Sequence, residues 1–364
     1  LFGCYTTYFD LFIKNIKSAD YHIWSVNVMH ILFSIIPIIS VSGFTISSMK
    51  RPYDFRRPFR NVKSASDAKT LTDGVELSEG HVMPWVGYGT YRLGKGKAFE
   101  PTLEALKEGY RCIDTAFIYA GEQTEKQVGE AIQTAIENKI IKDREEVFVI
   151  TKHWRNYHGY EQTMKCLDLS LERLCIDYVD LYLIHWPGPA YNTMNRRKDV
   201  LEEEGPWAYA KIPKENMMKT RAETWRAMED ALKQGKVKAI GVSNFTIRHL
   251  KNLKKTAKVW PPAVNQVESH PLYPNNELRD YCAQEGIILQ AYAALGGQDG
   301  TKKKWQELLD GKKLITCPVV QDIAKDIGVS SAQVLLRYAL QRNCAITPKT
   351  VSVERMKENS NIFH

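Results

Sequence analysis

The sequence predicts a (β/α)8 barrel with an N-terminal β-hairpin and long loops at the C-terminal ends of its strands. Three observations carry this reading. From Thr70 onward, short apolar runs and segments of helical spacing alternate eight times. Most of the runs lack polar alternation, as expected of parallel strands buried on both faces. Ionisable residues stand just past several of them, at the face where a barrel gathers its functional groups. An open doubly wound sheet that binds a dinucleotide would want G-x-G-x-x-G. The nearest match, Gly87-Tyr-Gly-Thr-Tyr-Arg-Leu-Gly94, has a different spacing and reads as a turn after the first strand.

The elements follow in order. Val75-Glu-Leu, a Ser-Glu-Gly turn and His81-Val-Met make a small hairpin. The strand candidates are Met83–Gly87, Arg111–Asp114, Val147–Thr151, Asp180–Ile184, Ala239–Ser243, Ala263–Val267, Ile287–Ala291 and Cys344–Thr347. Between them, Val128, Ala131, Ile132, Ala135 and Ile136 step by three and four behind a Thr124-x-x-Gln127 capping box. Met164, Leu167, Leu171 and Leu174, then Ile247, Leu250 and Leu253, repeat that step. Residues 188–221 and 294–317 form long connections after the fourth and seventh strands, where loops shape access to a site.

At 364 residues the chain exceeds the roughly 250 typical of one such barrel. The excess lies in residues 1–68, an N-terminal extension, and the barrel takes 69–364. From Tyr21 to Met49 the extension has no Lys, Arg, Asp or Glu, so a membrane anchor over 21–49 is the alternative to a disordered or artefactual segment. Residues 50–68, basic and proline-containing, read as a linker. The net charge of +8 is concentrated here: residues 1–65 hold eight Lys/Arg against three Asp. The barrel is near neutral, which points away from nucleic acid. Seven cysteines form no C-x-x-C pair, as expected of reduced thiols in a cytoplasmic protein. The scattered histidines suggest no metal site.

The chemistry gathers at three strand ends. Asp114 closes one apolar run and Tyr119 lies five residues on; Lys152 and His185 follow the next two. If these strands are adjacent and parallel, an acid, a phenol, an ammonium and an imidazole converge. A lysine beside a phenol favours the phenolate and lowers the tyrosine pKa, and an aspartate keeps the lysine charged. The four make a general acid able to protonate an oxygen, which is half of carbonyl reduction. Later strands offer the other half. Ser243, Asn244 and Gln266 can bind a carboxamide, and Tyr292 offers a flat face for stacking. Lys349 and Arg355 at a helix start suit a phosphate, which favours NADP(H).

From about Thr70 to the end, the chain resembles the aldo-keto reductase superfamily, close to its aldose-reductase and hydroxysteroid-dehydrogenase-like members. The residues that carry this are Gly109–Tyr119 with Glu125-x-x-Val-Gly129, Ile150-Thr-Lys152, Leu183-Ile-His-Trp-Pro187, Gly241–Phe245, Asn265–Pro271 and Pro348–Asn359. The resemblance implies NADPH-dependent reduction of aldehydes or ketones, with Tyr119 as acid, Lys152 and Asp114 as its tuning pair and His185 orienting the carbonyl. It implies cofactor contacts from Gly89, Thr90, Tyr91, Asp114, Ala293 and Leu295, from Ser243, Asn244 and Gln266 to the nicotinamide carboxamide, and from Tyr292 to its ring. Lys349, Thr350 and Arg355 would hold the 2′-phosphate, and Glu358 and Asn359 the adenine. Tyr91, Ile118, Tyr119, Trp154, His185, Trp186 and Trp305 would line the substrate pocket. Histidine rather than glutamate at 185 favours C=O over C=C reduction. The expected protein is a monomer without metal. Two departures stand out: Ala120-Gly-Glu-Gln-Thr124 is longer than the family's usual loop, and the family continues into a further helix and tail beyond the position of His364. A nucleotide-sensing binding module and a structural protein are the alternative roles for the same fold.

Overall fold

The computed structural model describes residues 60–78, 80–121, 123–188, 216–297, 309 and 311–363. The extension through residue 59, including the 21–49 segment, most of both long connections, and Trp305 lie outside the described residues. Among the described residues, no helix is long and apolar enough to cross a membrane.

The chain opens with β1 (Arg60–Asn61), β2 (Asp73–Ser78) and β3 (His81–Pro84). β2 and β3 form the expected antiparallel hairpin, with Gly80 in a positive-φ turn conformation. β1 adds a parallel strand beside β2. Arg60 ties it down through two bonds to the Asp73 carboxylate, 2.7 and 2.6 Å. Ala65 and Ala68 are buried in the core, and Ala65 N donates to Asn343 Oδ1 at 2.8 Å, so residues 60–68 pack onto the folded body, although the sequence reading left them in the extension.

The barrel follows: β4 (Tyr88–Gly89), α1 (Phe99–Lys107), β5 (Cys112–Asp114), α2 (Gln123–Glu137), β6 (Phe148–His153), α3 (Tyr160–Leu174), β7 (Leu181–Ile184) and α4 (Met217–Lys233). It continues with β8 (Ile240–Ser243), α5 (Ile247–Lys254), β9 (Val264–Glu268), α6 (Asn276–Glu285), β10 (Ile288–Tyr292), α7 (Pro318–Ile327), α8 (Ser331–Gln341), β11 (Ala345–Ile346) and α9 (Val353–Ser360). β4 to β11 are consecutive neighbours in one sheet, every pair parallel. A parallel bridge between Val86 and Ile346 closes the ring, with the Gly87 N–H donating to Ile346 O at 2.8 Å.

Two local expectations need correction. The run Met83–Gly87 is not one strand. It divides after Pro84, the last residue of the hairpin, and the first barrel strand is Tyr88–Gly89. Gly89 is forced there: a Cβ would come within 2.7 Å of the Thr347 carbonyl oxygen. Thr124 and Gln127 do not form a capping box, because α2 already includes Gln123. Gln127 instead accepts from Ala98 N, the residue before α1, at 2.7 Å. Capping boxes do occur at Ser330/Gln333, and at Thr246 with His249 in the third position.

β6 and β7 are buried along their whole length, so their polar members must find partners inside the protein. Those partners build the site.

Candidate active site

β5, β6 and β7 are adjacent and parallel, so their C-terminal ends share a rim. Asp114 ends β5, Lys152 is the fifth residue of β6, and His185 follows β7. Lys152 is completely buried and Asp114 is 4% exposed. The Lys152 ammonium donates to both Asp114 oxygens at 2.8 Å and to the Thr115 carbonyl at 2.8 Å. It also lies 3.4 Å from the Tyr119 hydroxyl. Burial pulls the lysine pKa down, against the pull of Asp114. The His185 ring stands edge-on to Tyr119, centroids 5.9 Å apart.

The tyrosine pKa runs opposite to the sequence expectation. Burial first, then the charge of Asp114 and the neighbouring Tyr91 and Tyr292, push the Tyr119 phenol well above 10. The lysine is near enough to favour a phenolate, but removal from water outweighs it. The resting group is therefore a protonated phenol. His185 is held neutral by burial, reinforced by Lys152, His153 and Arg155. Its Nδ1 is buried with no hydrogen-bond partner among the described residues.

A second cluster forms where β8, β9 and β10 end. Ser243 Oγ donates to the Gln266 carbonyl at 2.8 Å. Asn244, in a left-handed conformation, donates to His185 O at 2.9 Å and to Ser243 Oγ at 3.1 Å. Tyr292 donates its hydroxyl proton to Asn244 Oδ1 at 2.8 Å. Gln266 reaches across the barrel: its Nε2 donates to Asp114 Oδ2 at 2.7 Å. β9 and β5 are not neighbours in the sheet, so this bond passes through the interior and joins the two clusters. Thr90 donates both its N–H and its hydroxyl to the Asp114 carbonyl, 2.9 Å each. Ala293, at positive φ, and Leu295 continue the chain past Tyr292.

The third group lies between β11 and α9. Thr350 is buried; its carbonyl accepts from Tyr88 at 2.6 Å and its Oγ1 from Ser352 N at 3.1 Å. Ser352 caps α9 by accepting from Arg355 N at 3.2 Å. Lys349 and Arg355 flank that helix start and make no ion pair among the described residues. Glu358 is half-buried and Asn359 buried on the same helix. Two such cations at a helix N-terminus fit a phosphate, and the carboxamides and aromatic ring at the ends of β8–β10 fit a nicotinamide.

The open rim is aromatic. Tyr91 is 49% exposed with its ring 5.1 Å from Tyr119, and Trp186 is 36% exposed. Trp154 stands edge-on to His185 at 5.5 Å, and Ile118 is half-buried beside Tyr119. Among the described residues no group of three or more His, Cys, Asp or Glu could hold a metal ion.

The description of the Aldo/keto reductase family matches residues 86–364. The chain belongs to that family. It is 39% identical over 295 residues to the glyoxal reductase of Bacillus subtilis (strain 168), covering 81% of this chain and 88% of that protein. It is 38% identical over 302 residues to the glycerol 2-dehydrogenase (NADP(+)) of Saccharomyces cerevisiae (strain ATCC 204508 / S288c), covering 81% and 88%. It is 39% identical over 304 residues to estradiol 17 beta-dehydrogenase 5 of Mus musculus, covering 82% and 88%. Among solved structures, the aldo/keto reductase from Brucella melitensis superposes with a TM-score of 0.63 at 35% identity, over 79% of this chain and 92% of that one.

This aldo/keto reductase also holds residues that the sequence reading passed over. Gln290 bonds to Gln266 inside the barrel. His153 and His158 stack edge-on with centroids 4.6 Å apart. His158, Arg221 and Arg155 engage the consecutive carbonyls of Trp186, Pro187 and Gly188 at 3.1, 2.7 and 3.0 Å. A lone polar residue in the run Ile287-Ile-Leu-Gln-Ala291 was the only signal for Gln290. The arginines and His158 carried none, since their partners are backbone atoms.

Proposed function

We propose that this protein reduces aldehydes or ketones to alcohols, taking the hydride from NADPH and the proton from Tyr119. The observation that carries the reading is the fully buried Lys152 ammonium, clamped by Asp114 and Thr115 and 3.4 Å from the Tyr119 hydroxyl. A phenol pushed above its ordinary pKa keeps its proton until an oxygen that is gaining negative charge arrives to take it. The lysine then stabilises the phenolate left behind. Asp114 offsets the cost of burying that lysine charge, which by itself would drive the ammonium to lose its proton.

His185 takes a different part. Its imidazole is neutral, and with Nδ1 buried and unpartnered, the proton belongs on Nε2 at the open side. A neutral N–H there can orient a carbonyl oxygen without competing for the proton. The NADP in the names of several relatives fits Lys349 and Arg355, which make no ion pair among the described residues, and when bound it would supply the hydride. Ser243, Asn244 and Gln266 would hold its carboxamide, and Tyr292 would offer a ring face to the nicotinamide. Tyr91, Ile118, Trp154 and Trp186 make an apolar wall for the rest of the carbonyl compound. A nucleotide-sensing or structural role would not need a buried charge beneath a phenol.

The test is turnover of 4-nitrobenzaldehyde or a quinone with NADPH. Tyr119→Phe removes only the proton donor, so turnover should fall by about 10²–10⁴ while NADPH still binds. Turnover that survives the substitution would remove Tyr119 as the acid.

A further inference from the structure

The proton-donating group does not end at Asp114. Asp114 Oδ2 accepts from Lys152 and also from Gln266 Nε2. The second N–H of the same amide nitrogen donates to Gln290 Oε1, also at 2.7 Å. Gln266 and Gln290 are direct register partners on adjacent strands β9 and β10. Gln290 is completely buried and Gln266 is 3% exposed. We infer that Gln290 is a positioning residue for the reaction, acting by locking the Gln266 amide against Asp114; this deepens the function proposed above and rests on it.

The orientation follows from the donor and acceptor inventory. An ionised carboxylate only accepts, so Gln266 must turn its NH2 toward Asp114. With that end fixed, Gln290 must offer its carbonyl oxygen. The consequence is visible: Gln290 Nε2 is buried and has no partner among the described residues. Leaving a buried donor unpaired is costly. A residue present only to fill this part of the barrel would avoid the cost by being apolar. Here the unpaired N–H accompanies an oxygen held where Gln266 requires it.

Two effects follow for the chain's own residues. With both N–H bonds committed, Gln266 has only its carbonyl oxygen left for a ligand, so it can accept from a carboxamide NH2 but cannot donate to one. The amide donor also holds the Asp114 carboxylate in place against the Lys152 ammonium. Loss of the Gln290 oxygen frees the Gln266 amide to pivot, which loosens both.

A double-mutant cycle tests this. Gln290→Met and Gln290→Leu are each made alone and combined with Gln266→Met. The readouts are kcat at saturating carbonyl, the NADPH Kd by fluorescence quenching, the Kd of 2′,5′-ADP (which lacks the nicotinamide), and the thermal midpoint. Either Gln290 substitution should lower kcat and weaken NADPH by about three- to tenfold, the size of one lost hydrogen bond, and leave 2′,5′-ADP binding unchanged. Added to Gln266→Met, it should cost nothing more. Additive losses, equal loss of NADPH and 2′,5′-ADP, or unchanged kcat and Kd in the variant that folds would each overturn the inference. Tyr119→Phe in the same assays separates the two claims: turnover there sinks the proposed reaction, whereas an additive cycle with an inactive Tyr119→Phe sinks only the role of Gln290.

Discussion

The Asp114–Lys152 pair should decouple stability from activity. Lys152→Met leaves the Asp114 carboxylate, only 4% exposed, with Gln266 as its remaining side-chain donor. Asp114→Asn leaves a completely buried ammonium with the Thr115 carbonyl and one of the two carboxylate oxygens it bonded. Removing one member of a buried pair costs about 3–5 kcal/mol, mostly the penalty of the charge left behind. Removing both takes that penalty away. In Asp114→Asn/Lys152→Met the asparagine oxygen can still accept from Gln266, and methionine fills much of the lysine channel. The double variant should therefore unfold within about 1–2 kcal/mol of the parent, well short of the sum of the singles. Its turnover should stay as low as that of Lys152→Met, since no ammonium remains to stabilise the Tyr119 phenolate. Urea denaturation gives the stabilities and NADPH consumption the rates. A double variant as unstable as the two singles combined would mean the charges do not compensate each other. One that recovers turnover would mean the ammonium is not needed for proton transfer.

Three further outcomes follow from the same geometry. Replacing Lys349 and Arg355 with Ala should raise the NADPH Kd by at least about tenfold, the loss of charge-assisted bonds, and leave the NADH Kd almost unchanged; equal effects in a titration of both nucleotides would remove the phosphate role. Burial drives His153 from 6.5 to about 4, so the unfolded chain binds a proton there that the folded one refuses. Stability is then complete above pH 6.5 and is lost as pH falls toward 4, with His158 and His185 pulling the same way. His153→Leu should shrink the difference in unfolding free energy between about pH 7.5 and about pH 5 by about 2 kcal/mol; an unchanged difference refutes the assignment. Trp154→Ala, next to His185, should raise KM for aromatic carbonyls by about two- to tenfold but not for a small aliphatic aldehyde, as a substrate panel would record.

Asp114, Lys152 and His185 were legible because each ends an unbroken apolar run, and a parallel barrel turns such ends to one rim. The positions of Lys349 and Arg355 on either side of a helix start were legible for the same kind of reason, because their spacing brackets the first residue of α9. The first strand was misjudged because Met83-Pro-Trp-Val-Gly87 is apolar throughout, and composition does not mark where the hairpin ends and the barrel begins. The sign of the Tyr119 shift was lost for another reason. The sequence names its charged neighbours but not the water removed from around it, and here removal of water is the larger effect. Gln290 was hidden most deeply. Its partner lies 24 residues away on the next strand, and the Asp114 that gives the pair its purpose lies a further 152 residues back and across the barrel. Local pattern can set an ionisable group at a strand end. Only closure of the barrel brings an acid on β5 under an amide on β9.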